Sequence, residues 1–297
     1  MSKSSYIYLN FGRKDLGFFR YAGPGLCNLL FVWARGIVAA EKYSLRLLSP
    51  TWVNIKPGAI FRGENDKRFY NGLFIQEQNN IAGIKKIYLQ YALPHLDEEV
   101  LYKENEVRPG HVYVFSGLKN YFEPFANQYK FIRQKLDVIT CAKHKIIFDF
   151  SGSVSVHIRL GDFKVSNSQT SILWFKEKLL QLREAIKKDM PCYIFSDGNE
   201  DELSDLLQLP DVKKIFFGSS IADMIALSQS NILLGSNSST FSMWAAFLGR
   251  MPTIWPIKDR LVEEMGSSDV HWIFSEKGAN LPDNLIDYLR RKSNEMR

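Results

Sequence analysis

Cysteine is scarce in this chain and poorly placed for metal or disulfide work. Among 297 residues only Cys27, Cys141 and Cys192 are cysteines. They are odd in number and far apart, with no Cys-x-x-Cys, which favours a reducing compartment and argues against structural zinc. The five histidines are scattered as well. No hydrophobic run approaches the length of a membrane span, and Met1 to Leu9 lacks the longer apolar region of a signal peptide. The expectation is a cytoplasmic protein, at most peripherally attached to a membrane. Walker A, Gly-x-Ser-x-Gly and Asp-x-Asp patterns are all missing, which disfavours a nucleotide triphosphatase, a serine hydrolase and a metal-dependent sugar transferase. Basic residues interleaved with aromatics are missing too, so nucleic acid is not the expected partner. The net charge of +6 is spread rather than blocked, a balance that suits a phosphorylated ligand or an anionic membrane face.

What the chain does have is strand and helix patterning. Ser4 to Leu9 reads as a first strand, Leu26 to Tyr43 as an amphipathic helix and Leu45 to Leu48 as a second strand. The segment from Thr51 to Leu101 is irregular, rich in Asn, Gln, Lys and aromatics, and is the expected place for acceptor recognition. A strand at Val112 to Phe115 and a helix at Phe122 to Val138 follow. Beyond about Phe150 the alternation sharpens. Strands at Val154 to Ile158, Cys192 to Phe195, Lys214 to Phe217, Ile232 to Leu234 and Thr253 to Trp255 alternate with helices at Ser171 to Lys188, Glu200 to Leu207, Ala222 to Ser228 and Thr240 to Leu248. Leu281 to Lys292 is a final helix. Such alternation implies parallel sheets covered by helices. The expected division is 1–150 and 151–297.

The segment Ser153 to Phe163 carries the most chemistry. Val154, Val156 and Ile158 alternate with Ser153, Ser155 and His157, the period of a half-buried strand. Arg159 then stands at the strand's carboxyl end, where open α/β sheets hold ligands. It reads either as an anion clamp or as one half of a surface ion pair with Asp162. From Asn231 to Leu248 an apolar strand leads through Ser238, Ser239 and Thr240 into a helix. That helix N-terminus is an anion site or a plain cap. Two anion-binding devices on one sheet suggest a diphosphate. Asp197, after the Cys192 strand, reads as a ligand contact or an N-cap, and Asp223 as a helix-start acid. Gly23-Pro24-Gly25-Leu26-Cys27-Asn28 is a weak dinucleotide fingerprint that reads as a glycine turn bringing Gly25 and Asn28 to a ligand, or as an ordinary loop. Phe241, Met243, Trp244 and Phe247 read as helix packing.

Together, His157-Ile158-Arg159-Leu160-Gly161-Asp162-Phe163, Ile194-Phe195-Ser196-Asp197 and Ser236-Asn237-Ser238-Ser239-Thr240-Phe241-Ser242-Met243-Trp244-Ala245-Ala246 resemble, in order and spacing, the signature blocks of the α-1,2-fucosyltransferases. Gly25 to Asn28 is similar to that family's N-terminal motif, and Gly117 to Arg133 to a further block. The resemblance implies a GT-B α/β fold, two Rossmann-like doubly wound domains facing across a cleft. It implies metal-independent transfer of L-fucose from GDP-fucose, with inversion, to the 2-hydroxyl of a terminal galactose on a glycan, a lipid-linked acceptor being compatible with peripheral attachment to a membrane. By that likeness Arg159, His157 and Asp162 form the catalytic group. Ser238, Ser239, Thr240 and Phe241 would lie on the phosphates, Asp197 on the nucleotide, Asp223 on guanine, and Gly25 and Asn28 over the donor from the other domain. Leu160 stands where the family usually has a second arginine, and Gly198 where a second aspartate often follows. Those departures leave open another GDP-sugar such as GDP-mannose. A subunit that binds a nucleotide sugar or glycan without catalysis is the remaining alternative.

Overall fold

The computed structural model describes residues 4–12, 14–55, 69–150, 152–160, 169–187, 189–258, 262 and 272–295, with side chains to 291. It divides into two compact units, Met1–Lys145 and Ile146–Arg297. Both are Rossmann-like α/β folds built on parallel sheets.

In the N-terminal unit, β1 (Tyr6–Asn10) leads through a short hairpin, β2 (Lys14–Asp15) and β3 (Arg20–Tyr21), into α1 (Leu26–Tyr43). The chain then returns as β4 (Arg46–Leu47), alongside β1. β5 (Asn54–Ile55) joins the hairpin, giving a three-stranded sheet β2-β3-β5. After α2 (Gly83–Ala92), β6 (His95–Asp97) and α3 (Glu98–Glu104), the strand β7 (Val112–Ser116) inserts beside β1. The main sheet is thus β4-β1-β7-β6. Helix α1 is buried over most of its length because Leu29, Leu30, Phe31 and Trp33 all find apolar neighbours. Its one buried cation, Arg35, is neutralised in a fork: Nε donates to Glu98 Oε2 at 2.9 Å and Nη2 to Glu98 Oε1 at 3.2 Å. Nη2 also reaches the carbonyls of Ser116 and Gly117. The helix expected over Phe122 to Val138 is a 3-10 turn, Glu123–Gln128, followed by α4 (Tyr129–Ile139). Pro124 and the non-helical Phe125, with φ of −142°, break the run.

The C-terminal unit carries β8 (Val154–Ile158), α5 (Ile172–Ile186), β9 (Cys192–Ser196), α6 (Ser204–Leu207) and β10 (Val212–Lys214). There follow α7 (Ser220–Leu227), β11 (Ile232–Leu234), α8 (Thr240–Gly249), β12 (Thr253–Trp255), β13 (Trp272–Phe274) and α9 (Asp283–Glu295). Its sheet runs β10-β9-β8-β11-β12-β13, with every pair parallel. Strand β8 is buried at all five positions, not half-buried as its alternation suggested. It lies in the middle of a sheet whose two faces are both covered, so the period-2 polar set also goes inside. Ser155 there bonds to Ser230. Strand β10 sits before the expected Lys214 to Phe217, because Val212 pairs with Cys192 and the ladder ends as Ile215 donates to Ile194.

Candidate active site

The chain enters the second sheet at β8, winds outward through β9 and β10, then crosses back to β11 and continues outward through β12 and β13. β8 and β11 are therefore neighbours from which connections leave in opposite directions. The crevice outside their carboxyl ends is where such sheets hold ligands. Arg159 and Leu160 leave β8 at that rim, and residues Gly235 to Ser239 leave β11 beside them.

One serine ties the two strand ends together. Ser236 Oγ donates to the His157 carbonyl at 2.7 Å and accepts the Arg159 N–H at 3.0 Å. Asn237 N–H is held by Thr170 Oγ1 at 2.9 Å. Ser238 follows with φ of 49°, a left-handed conformation that costs a residue with a side chain about 1 kcal/mol or more. Ser239 is the N-cap of α8, its Oγ accepting the Ser242 N–H at 3.4 Å. That bond uses one of the orphan donors of the first turn. The N–H groups of Thr240 and Phe241 have no acceptor within the helix and add to the positive end of its dipole.

His157 lies under this turn, buried, with Nδ1 2.7 Å from Ser242 Oγ and 3.5 Å from Ser239 Oγ. Its ring stacks on Phe241 at 4.7 Å. Burial, reinforced by Arg159 and opposed by Asp197, holds its pKa down to about 3. Ser242 Oγ, the close partner of the His157 Nδ1, also accepts the Ser236 N–H at 3.2 Å. His157 and Phe241 are packed together as supports of the α8 turn.

Asp197, at the end of β9, accepts the Leu160 N–H at 2.8 Å and lies 3.6 Å from Arg159 Nε. It is not a helix cap. Asn199 and Glu202 fill that role in a reciprocal pair, each side chain taking the other's N–H at 2.8 and 2.9 Å. The two departures from the motif meet here. A Cβ on Gly198 would fall 2.4 Å from Leu160 Cδ1. Leucine and glycine thus fit one another across the ends of β8 and β9. Asp162 and Phe163 lie outside the described residues.

Asp223 sits in the first turn of α7, and its Oδ1 accepts the Phe217 N–H at 2.7 Å across the Gly218 turn. Burial pushes its carboxyl up to about 7, partly offset by that bond. Phe216, next in the same loop, is 71% exposed. Neither phenylalanine was singled out in the sequence, because nothing local distinguishes them from strand residues.

Gly25 and Asn28 belong to the N-terminal unit. The turn before α1 is built on Arg20, which is fully buried and donates through Nη1 to the Ala22 carbonyl at 3.0 Å. Its guanidinium lies 5.9 Å from the centre of the Tyr70 ring, and the Tyr70 hydroxyl accepts the Leu26 N–H at 2.9 Å. Gly23 is obligatory, having φ of 130° and a Cβ position 2.4 Å from Arg20 Nη1. Gly25, the N-cap, has nothing within 4 Å of its Cβ position. The Asn28 side-chain oxygen is buried without a hydrogen-bond partner. Sequence reasoning missed Arg20 because it sits in a two-residue strand with no periodicity. The same unit holds a pocket of about 230 Å³ lined by Trp52, Phe74, Asn71, Gln76, Asn80 and the buried Lys86 among others. Trp52 packs against Phe74 at 4.2 Å.

No protein-family model matches the chain, and no curated protein matches it. Solved structures do. A mutant of Arabidopsis thaliana FUT1 in complex with GDP matches with a TM-score of 0.51 and 11% identity, over 91% of this chain and 72% of that one. Fucosyltransferase NodZ from Bradyrhizobium matches with a TM-score of 0.48 and 14% identity, over 85% and 95%. POFUT1 in complex with GDP-fucose matches with a TM-score of 0.44 and 9% identity, over 92% and 98%. The likeness is one of fold, and the FUT1 match supports the two-unit Rossmann-like architecture.

Proposed function

We propose that this chain is an inverting glycosyltransferase that takes its sugar from GDP-fucose. The observation that supports this most directly is the meeting of Arg159, Asp197 and the Ser236 to Thr240 turn at the switch point of the second sheet. Arg159 and the unspent main-chain N–H groups of the turn leave neighbouring strand ends at one rim, tied by the Ser236 hydroxyl. That is the donor set a pyrophosphate needs.

As the C1–O bond of the sugar breaks, its electron pair goes to the β-phosphate oxygen. Arg159 and the α8 N–H groups, already fixed in place, stabilise that growing charge more than the ground state. Each charge-assisted bond contributes about 1.5 to 3 kcal/mol, so the group supplies a useful part of the barrier reduction. Asp197 orients Arg159, and His157 is a positioning residue that holds the α8 turn. Asp223, in its ionised form, offers a carboxylate to the N1 and N2 donors of guanine, with Phe216 a face for the ring. The acceptor hydroxyl attacks C1 from the side opposite the leaving diphosphate, giving inversion. Its proton passes to a general base, and burial beside Arg159, which holds the His157 pKa down to about 3, makes that ring a weak one.

The acceptor proposed is the 2-hydroxyl of a terminal galactose, on the motif resemblance. The aromatic and amide lining of the pocket around Trp52 suits a sugar, whose C–H face packs on a ring while its hydroxyls meet amides. The open space at Gly25 and the unpaired Asn28 oxygen support a ligand-binding role for the α1 turn.

Thermal shift with GDP, UDP and GDP-fucose is the first test. Stabilisation by GDP and GDP-fucose over UDP is expected, and mass spectrometry with a galactoside panel should show one added deoxyhexose. Preferential stabilisation by UDP sinks the proposal. Arg159→Ala should lose transfer with its circular dichroism preserved.

A further inference from the structure

Helix α2 is partly inverted in polarity. Its buried side chains are Lys86 and Gln90, each 3% exposed, with Leu89 the apolar one among them, while Ile84, Tyr88 and Tyr91 stand 81%, 67% and 65% exposed. Those three positions, i, i+4 and i+7, form one stripe. The β2-β3 hairpin beside it is inverted in the same sense. Asp15 and Arg20 point inward, while Leu16 and Phe18 at its turn are 52% and 61% exposed. The two elements form one surface. Lys86 Nζ donates to the Gly17 carbonyl at 2.8 Å, Tyr91 Oη donates to the Asp15 carbonyl at 3.1 Å, and Gly17 lies against Ile87. The apolar stripe of the helix therefore continues into the hairpin turn.

The exposed charges on the two elements themselves are basic. Lys14 and Lys85 are exposed, and residues 14–22 and 78–96 contain no acid except the buried Asp15. Water alone does not select such an arrangement, because burying a lysine and a glutamine while exposing an isoleucine and two tyrosines costs free energy on both sides. A medium that is apolar inside and negative at its rim repays it. Phenylalanine and leucine enter the acyl boundary, tyrosines sit at headgroup depth, and lysines meet anionic phosphates.

We infer that the hairpin turn and α2 of the N-terminal unit form a docking face for an anionic lipid bilayer, into which Leu16, Phe18, Ile84, Tyr88 and Tyr91 insert. The pocket around Trp52 borders this face, since Gly17, Phe18 and Gly83 line it. A sugar carried on a lipid would then meet that pocket at the membrane surface. The inference rests on the inverted polarity and not on the proposed transfer reaction.

Vesicle flotation tests it. The full chain should float with vesicles of phosphatidylcholine containing about one-third phosphatidylglycerol and bind pure phosphatidylcholine about tenfold less. Ile84→Ser with Tyr88→Ser, neither of which lines the pocket, should weaken flotation at least about tenfold while leaving the GDP thermal shift unchanged. Lys14→Glu with Lys85→Glu should remove the preference for phosphatidylglycerol. Failure of the wild type to float overturns the inference, as does unchanged flotation of the serine pair. A third overturning result is a dimer in light scattering that the serine pair makes monomeric, which would assign the face to a second copy. Transfer to a soluble galactoside should survive in the serine pair, so loss of docking and loss of the proposed activity are separable.

Discussion

Asp223→Asn is the substitution whose consequences are most closely set by the structure. The carboxyl lies at about 7 in the fold against 3.8 ordinarily, raised by burial. Below pH 3.8 both folded and unfolded states carry its proton and there is no penalty. As pH climbs from there to about 7 the unfolded chain ionises first, so stability falls across that window and the loss is complete above it. A rise of that size corresponds to about 4 kcal/mol at most, and partial access to water reduces the expected penalty to about 2 kcal/mol. Asparagine keeps an oxygen for the Phe217 N–H but never ionises. The variant should match wild type near pH 4 and exceed it near pH 8, by about 5 °C in the melting of the C-terminal unit. Binding should move the opposite way. If the ionised form receives guanine, wild-type affinity for GDP rises about tenfold from pH 6 to pH 8 relative to the asparagine variant, which loses the paired acceptor. Differential scanning fluorimetry and calorimetry over that range read both effects. Parallel stability curves for the two proteins would falsify the burial argument, and equal GDP affinity at pH 8 would remove Asp223 from the guanine site.

The other outcomes follow from packing and pairing. Ser242→Ala leaves the His157 Nδ1 and Ser236 N–H without their shared partner, and should cost about 1 to 3 kcal/mol in chemical denaturation and weaken GDP binding; an unaffected GDP affinity would detach His157 from the phosphate turn. Gly198→Asp alone should clash with Leu160 and destabilise by about 1 to 3 kcal/mol, whereas Leu160→Arg combined with Gly198→Asp should recover much of that loss; additivity of the two would refute the coupling. Glu98→Ala strands the buried Arg35 and should cost about 3 to 5 kcal/mol, measured by urea unfolding. Trp52→Ala should raise KM for a galactoside acceptor while leaving KM for GDP-fucose unchanged; a change confined to the donor would move the acceptor elsewhere.

Much of the second sheet was legible in the sequence because its signals are local. The bounds of β8, β11, β12 and α8 follow from apolar runs closed by glycine and serine, and the Ser239 cap from a preference that spans four residues. Helix α1 was readable for the same reason, its leucines recurring at helical spacing. Elements made of two or three residues, such as β2, β3, β5 and β13, left no period to detect, and they exist only because a neighbouring strand supplies their hydrogen bonds.

The sequence by itself determined the alternation that makes the sheets parallel, and the presence of Arg159, Asp197 and a capped helix at strand ends. Tertiary structure alone decided the electrostatics. His157 is neutral because the covered centre of a sheet excludes water, and Asp223 is raised because its loop folds over it. Leu160 and Gly198 became one feature only when β8 and β9 were laid side by side. Helix α2 falls on the tertiary side of that division, since the Thr51 to Leu101 segment that holds it reads as irregular in sequence. Which side of that helix faces the interior was settled by Lys86 reaching Gly17 and Thr51, contacts made between residues 35 and 69 positions apart in sequence. Periodicity is encoded within a few residues, whereas burial and charge depend on everything that folds around them.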